Sequence, residues 1–147
     1  MIRRLFSKIA RRYVRLVHVR DSHYRHYRAP ERAGEWNPEP IPEAHVIEGA
    51  PEARSIEFGT SGDGGMTFGS WDCTAGRFKW YYGCDELISI LEGEAYVQVD
   101  GHTEHLAPGS VFYFPLGTVA EWHVPEYIRK NFVLRHPAPL LKKLTWG

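Results

Sequence analysis

Side chains able to do chemistry concentrate in residues 76–93, Gly-Arg-Phe-Lys-Trp-Tyr-Tyr-Gly-Cys-Asp-Glu-Leu-Ile-Ser-Ile-Leu-Glu-Gly. There the acid Glu86 and the thiol Cys84 follow Trp80, Tyr81 and Tyr82. Cys84 could serve as a reactive thiol, but no histidine stands near it in sequence to take its proton. Cys73 is the second cysteine, and the two lack the C-x-x-C spacing of a metal or redox motif. Reduced thiols in a cytosol-facing protein are the expectation. His23 and His26 have no third ligand nearby. Arg77, Arg129 and Lys130 could hold an anionic group at a rim, although such charges more commonly make a solvated face or guard a strand edge. His102 and His105 flank the Asp100-Gly101 dipeptide and read as exposed strand residues.

Such groups need rigid elements to aim them, and the chain offers short strands with turn punctuation. Strands are expected at 55–58, 67–72, 77–82, 86–91, 94–99, 102–106, 110–114, 119–124 and 128–136. Asp100-Gly101 is a tight-hairpin dipeptide, and Pro108-Gly109 marks another turn. Thr74-Ala-Gly76 and Glu92-Gly93 are read as further breaks, and one or two helical turns are expected at 138–143. No helical periodicity intervenes between the strands, so the class is all-β, a sandwich or closed barrel. At 147 residues the length suits one hydrophobic core.

Two spacings carry a family resemblance. Glu86, six residues, then Gly93 resembles the end of the first cupin motif, G-x5-H-x-H-x(3,4)-E-x6-G. Gly109, five residues, then Pro115-x-Gly117 resembles the start of the second, G-x5-P-x-G-x2-H-x3-N. Residues 69–80, Asp85-Glu86, residues 90–94, Trp122-x-Val124 and Arg129-Lys130 look like small cupins of the ureidoglycine aminohydrolase-like group, which includes ethanolamine-utilisation cupins. The resemblance spans roughly residues 55–136 and implies a double-stranded β-helix, or jelly-roll barrel, and a homodimer through barrel faces.

Metal-dependent cupins hold an ion with two His and a Glu of the first motif and a His of the second. On this sequence those positions fall on Trp80, Tyr82, Glu86 and Ala120. Trp offers a metal no lone pair and Ala no ligand atom, while Tyr82 could bind only as phenolate. Strand alternation puts His123 on the face opposite Ala120, Trp122 and Val124. No bound metal and no cofactor are therefore expected. What remains is an aromatic pocket with Trp80, Tyr82, Glu86 and Trp122 as ligand-binding candidates, and with Ile88, Ile90, Phe112 or Phe114 as further lining. Glu86 is the sole catalytic candidate. A carboxyl desolvated there suits a general acid/base, or an anchor for a cation that the ring faces also attract. The blander expectation is a structural relic hydrogen-bonded to Tyr82 or to a backbone amide.

The formal net charge is zero, but it is unevenly distributed. Residues 1–32 carry ten Lys/Arg against two acids, a net +8, and the remainder carries eight basic and sixteen acidic residues, a net −8. Ile2, Leu5, Phe6, Ile9, Tyr13, Leu16 and Val17 recur at helical spacing, with Arg3, Arg4, Lys8, Arg11, Arg12 and Arg15 on the other face. Leu5, Phe6, Ile9, Arg4, Arg11, Arg12 and Arg15 are the candidates to meet an anionic membrane surface or a partner protein. The segment also resembles an Arg-rich mitochondrial targeting helix, and packing on its own barrel or a sister subunit is the plainer alternative. Pro38, Pro40, Pro42 and Pro51 predict an extended linker. The domain reading is a basic helix and extension at 1–32, a linker at 33–53, and a barrel with a short tail at 54–147.

These features point first to a metal-free cupin whose aromatic pocket binds a small organic ligand or is vestigial. An accessory subunit tethered by its N-terminal helix is the alternative, and a metal-dependent aminohydrolase-like enzyme comes last. The balance leans away from catalysis. Nucleic acid is not an expected partner, because the positive charge is confined to one segment. The expected location is the cytoplasm, with peripheral membrane attachment through residues 1–32 as an option.

Overall fold

The computed structural model describes residues 25–137. The expected amphipathic helix with Leu5, Phe6, Ile9, Arg4, Arg11, Arg12 and Arg15, and the helical turns at 138–143, lie outside the described residues.

Among the described residues there are nine strands: β1 (Asn37–Pro38), β2 (Val46–Gly49), β3 (Ala53–Thr60), β4 (Met66–Tyr81), β5 (Asp85–Gly93), β6 (Ala95–Val99), β7 (His102–Leu106), β8 (Val111–Phe114) and β9 (Val119–Arg135). One short 3-10 turn, Glu43–His45, stands before β2. The all-β class follows, but two pairs of expected strands are each one long strand. Residues 67–72 and 77–82 merge into β4, and 119–124 and 128–136 merge into β9. At Thr74–Gly76 the chain bulges against β9, where the register jumps from Thr74↔Tyr127 to Gly76↔Val124. A bulge bends a strand without ending it, and Pro125 sits in the skipped stretch, where no ladder N–H is demanded.

The bends let β4 and β9 serve two sheets. Their first and last portions, respectively, pair with each other and with β3 and β5, and β1 and β8 extend that sheet at its sides. The other portions pair with β2 and β6, and β7 completes that second sheet. Trp71, Phe78, Ile88, Ile90, Val97, Leu106, Phe114, Trp122 and Val124 are buried in one core between the inner faces. The aromatic residues interlock there, with Phe78 stacked on Trp122 at 6.4 Å and Trp71 at 6.0 Å from the same ring. The Asp100-Gly101 hairpin forms as its dipeptide dictates, both residues at positive φ (50° and 78°). At Gly93 (φ 71°) a Cβ would fall 1.9 Å from the Tyr127 carbonyl oxygen, so the β5 bulge needs glycine.

Residues 33–53, expected as an extended linker, are extended and stitched to the barrel. β1 pairs with β3, β2 pairs with β4, and Ile41 between them is buried in the core. The strap begins earlier still. Tyr27 stacks on Phe58 at 5.2 Å, Arg129 donates to the Pro30 carbonyl, and the Arg32 guanidinium lies 3.7 Å over the Tyr127 ring. This covering explains why Ser70 and Asp72, on the outer face of β4, are as buried as the core. No helix among the described residues is long and apolar enough to cross a membrane.

Candidate functional site

Alternation along the strands aims the site. In β9 the residues Ile128, Lys130, Phe132 and Leu134 share a parity, and their cross-strand partners in β5 include Ile90 for Lys130 and Glu86 for Leu134. All face inward. A cavity of about 200 Å³ opens there, walled by Trp71, Trp80, Tyr81, Tyr82, Gly83, Cys84, Glu86, Lys130, Phe132 and Leu134, with Glu39 reaching in from the strap.

At its floor the Lys130 ammonium donates to Glu86 Oε1 at 2.7 Å, and both side chains are more than nine-tenths buried. The same ammonium lies 4.9 Å from the Trp71 ring centroid and 5.1 Å from that of Trp122. Two indole faces and a carboxylate thus enclose one positive charge, the arrangement that best compensates its lost hydration. The expectation of Glu86 as an isolated acid or relic bonded to Tyr82 gives way to this ion pair. Lys130, expected at a rim, is inside. The signal was present in sequence: Lys130 shares its parity with three apolar neighbours, which places it on the inner face.

Tyr82 stacks on Phe114 at 4.3 Å and accepts a hydrogen bond from Trp122 Nε1 at 3.2 Å. Burial, and then the Glu86 charge, push its phenol well above the ordinary value, so it stays neutral. Trp80 and Tyr82 line the cavity with Glu86, whereas Trp122 lies beneath it as buried core. Ile88, Ile90 and Phe114 are likewise core, and the cavity walls do not include them or Phe112. Tyr81 at the mouth carries His45 of the 3-10 turn at 4.8 Å between ring centroids.

The ion that many cupins hold can be tested against these residues. Trp80 pairs with Ala120 across β4 and β9, and Trp80, Tyr82 and Glu86 share the cavity wall, whereas Ala120 is buried core outside that wall. Their chemistry does not fit a metal. Trp80 and Ala120 offer no donor, Tyr82 is a neutral phenol, and the one carboxylate already holds an ammonium. His123 pairs with Arg77 on β4 and lies on the outer side near Tyr96. Among the described residues no group of three His, Cys, Asp or Glu is placed to hold an ion.

The remaining candidates settle outside the site. Arg77 pairs with Glu121 and Glu48, and Arg129 with Glu92 at 3.2 Å. His105 meets Glu94 at 2.6 Å. Cys73 is fully buried, and its thiol is pushed up to about 12 by burial and then by the Asp72 charge, which makes it inert. Sequence reasoning missed Glu39, since its segment looked like a linker, and missed Trp71, Phe132 and Leu134 as walls.

Residues 60–132 match the family model for an EutQ-like cupin domain. Over 66 residues the chain is 33% identical to the acetate kinase EutQ of Salmonella typhimurium, a match covering 45% of this chain and 28% of that protein. A crystal structure of ethanolamine utilization protein Q from the same organism is 30% identical, with a TM-score of 0.53 over 59% of this chain and 71% of that one. A DUF861-family protein of unknown function from Pseudomonas syringae pv. tomato shares the fold at 20% identity, with a TM-score of 0.63 over 71% of this chain and 46% of that one. The EutQ protein of Clostridium difficile does so at 19% identity, with a TM-score of 0.54 over 67% of this chain and 81% of that one. The chain belongs to the cupin superfamily and carries an EutQ-like cupin domain.

Proposed function

We propose that this cupin binds a small polar organic molecule in its aromatic pocket without a metal, the Lys130 ammonium serving as the fixed positive charge at the Glu86 carboxylate. The observation that carries the reading is the 2.7 Å pair itself, buried at the floor of a cavity. Burying two charges costs several kcal/mol per ion before their attraction is counted, about 5 kcal/mol in order of magnitude, so such a pair is a poor way to stabilise a core. Next to an open cavity it is a good way to orient a polar ligand. The resemblance of residues 69–80, Asp85-Glu86, residues 90–94, Trp122-x-Val124 and Arg129-Lys130 is what supports kinship with the ureidoglycine aminohydrolase-like group. The residues at the metal positions argue against hydrolysis of its metal-dependent kind, and Glu86 is a positioning group for Lys130 rather than a free acid.

Thermal-shift and calorimetric screening of small polar metabolites against chelator-treated protein tests this. The expected result is a ligand whose binding survives metal removal and is lost in Trp80→Ala and in the double variant Glu86→Gln/Lys130→Met. A panel without a hit, or binding that requires added metal, overturns it.

A second reading concerns the segment before the strap. Residues 1–24 hold seven Lys/Arg against one acid, and the chain that follows is pinned to the barrel from Tyr27 onward. That arrangement suits a tether to an anionic membrane or a partner complex, working beside the pocket. Co-sedimentation with vesicles containing about one-third anionic lipid, with and without residues 1–24, decides it, since each basic residue near such a surface contributes about 1 kcal/mol.

A further inference from the structure

We infer that the pocket selects a small organic monocation and that Glu39 is the residue that selects it, an inference that rests on the metal-free binding reading above. Lys130 neutralises Glu86 across 2.7 Å, so the floor is charge-balanced. Glu39 is the third ionisable group of fixed charge on the cavity wall, which leaves the site one net negative charge. Its carboxylate has no ion pair or hydrogen bond among the described residues, whereas its own backbone N–H is fixed to the Ala53 carbonyl at 2.9 Å. On one side β1 holds the chain to β3, and on the other Ile41 is buried in the core. The acid is therefore half-buried, unneutralised and held in place, on a cavity wall that also carries the rings of Trp80 and Tyr81.

An aromatic wall with one uncompensated carboxylate attracts a cation twice over, through the ring quadrupoles and through the charge. An anion would meet the Glu39 carboxylate on the cavity wall and a Lys130 charge already spent on Glu86. A cavity of about 200 Å³ also limits the guest to metabolite size. The source of the specificity is unexpected for the fold, because the residue belongs to the strap and not to either barrel motif.

Three probes of similar size test the inference: choline, its neutral isostere 3,3-dimethylbutan-1-ol, and 3,3-dimethylbutanoate as an anion of the same shape. Binding is read by tryptophan fluorescence and calorimetry on full-length protein. Choline is expected to bind about tenfold more tightly than the neutral alcohol, the sum of a half-buried charge pair and a cation–π contact. Glu39→Gln should cut that ratio to the roughly twofold that the cation–π contact alone supplies, while leaving the affinity for the alcohol unchanged, and Glu39→Asp should restore part of it. Equal affinity for the three probes, or an anion preference, overturns the inference but leaves pocket binding standing. No binding of any probe overturns both.

Discussion

Two carboxylates sit on opposite faces of the same sheet, Asp72 on β4 and Glu86 on β5, and have been put to different uses. On the outer face of β4, Asp72 accepts from Arg54 Nε at 3.0 Å, from Arg54 Nη2 at 2.5 Å and from the Tyr127 hydroxyl at 2.8 Å. Strap residues seal it, with Arg32 over Tyr127 and the Arg32 carbonyl accepting from Arg54 at 3.1 Å. On the inner face, Glu86 accepts from Lys130 at 2.7 Å and borders a cavity. A carboxylate whose lone pairs are taken up by a bidentate guanidinium and a hydroxyl is a staple: it closes a structure and has little left to offer a ligand. One held by a single ammonium and open to a void keeps capacity for a guest. Saturation, more than burial, separates a structural acid from a functional one here.

Substitutions can break that contrast. The largest effect is expected for Lys130→Met, which strands the Glu86 charge among aromatic rings and should cost about 3–5 kcal/mol in urea unfolding. Pairing it with Glu86→Leu should recover most of the loss while abolishing ligand binding. If the double variant stays as unstable as the single one, the pair is structural and the contrast with Asp72 collapses. Asp72→Ala should cost about 2–3 kcal/mol by orphaning the Tyr127 hydroxyl and loosening the strap through Arg54, with ligand affinity unchanged within about twofold. A gentler cut at the same staple, Tyr127→Phe, removes one hydrogen bond and should cost about 1 kcal/mol.

A third carboxylate sharpens the comparison from the surface. The backbone N–H of Leu116, and more weakly Arg135, hold the Asp85 carboxyl below its ordinary range. The folded state therefore favours its ionised form. The stabilisation is complete above the ordinary carboxylate value of about 4 and fades as pH falls through the lower folded value. The small acid-side loss of stability should be absent in Asp85→Asn when melting curves are followed between neutral and acid pH. An unchanged acid limb would remove this third case from the series.

Much of the framework was legible in the chain. Strand alternation and turn dipeptides marked the all-β class, and the Glu86–Gly93 and Gly109–Gly117 spacings marked the cupin resemblance, because these depend on neighbours along the backbone. Thr74-Ala-Gly76 misled, since a local break signal does not distinguish a turn from a bulge. The decision belongs to the partner strand β9, which continues past it. The strap misled for a related reason. Repeated prolines specify extension, but whether extended chain wanders or packs depends on an outer sheet face that no local pattern reveals.

Residue types alone settled which side chains could never grip an ion: Trp80 and Ala120 carry no donor in any conformation, and their strand parity sets the face they share. Charge partners were another matter. Glu86 and Lys130 are 44 residues apart and Glu39 lies further still from the barrel motifs, so nothing in their local surroundings tells which acid is matched and which is left over. Electrostatic pairing is decided by distance through space and by the loss of water around it, and both come into being with the packed barrel.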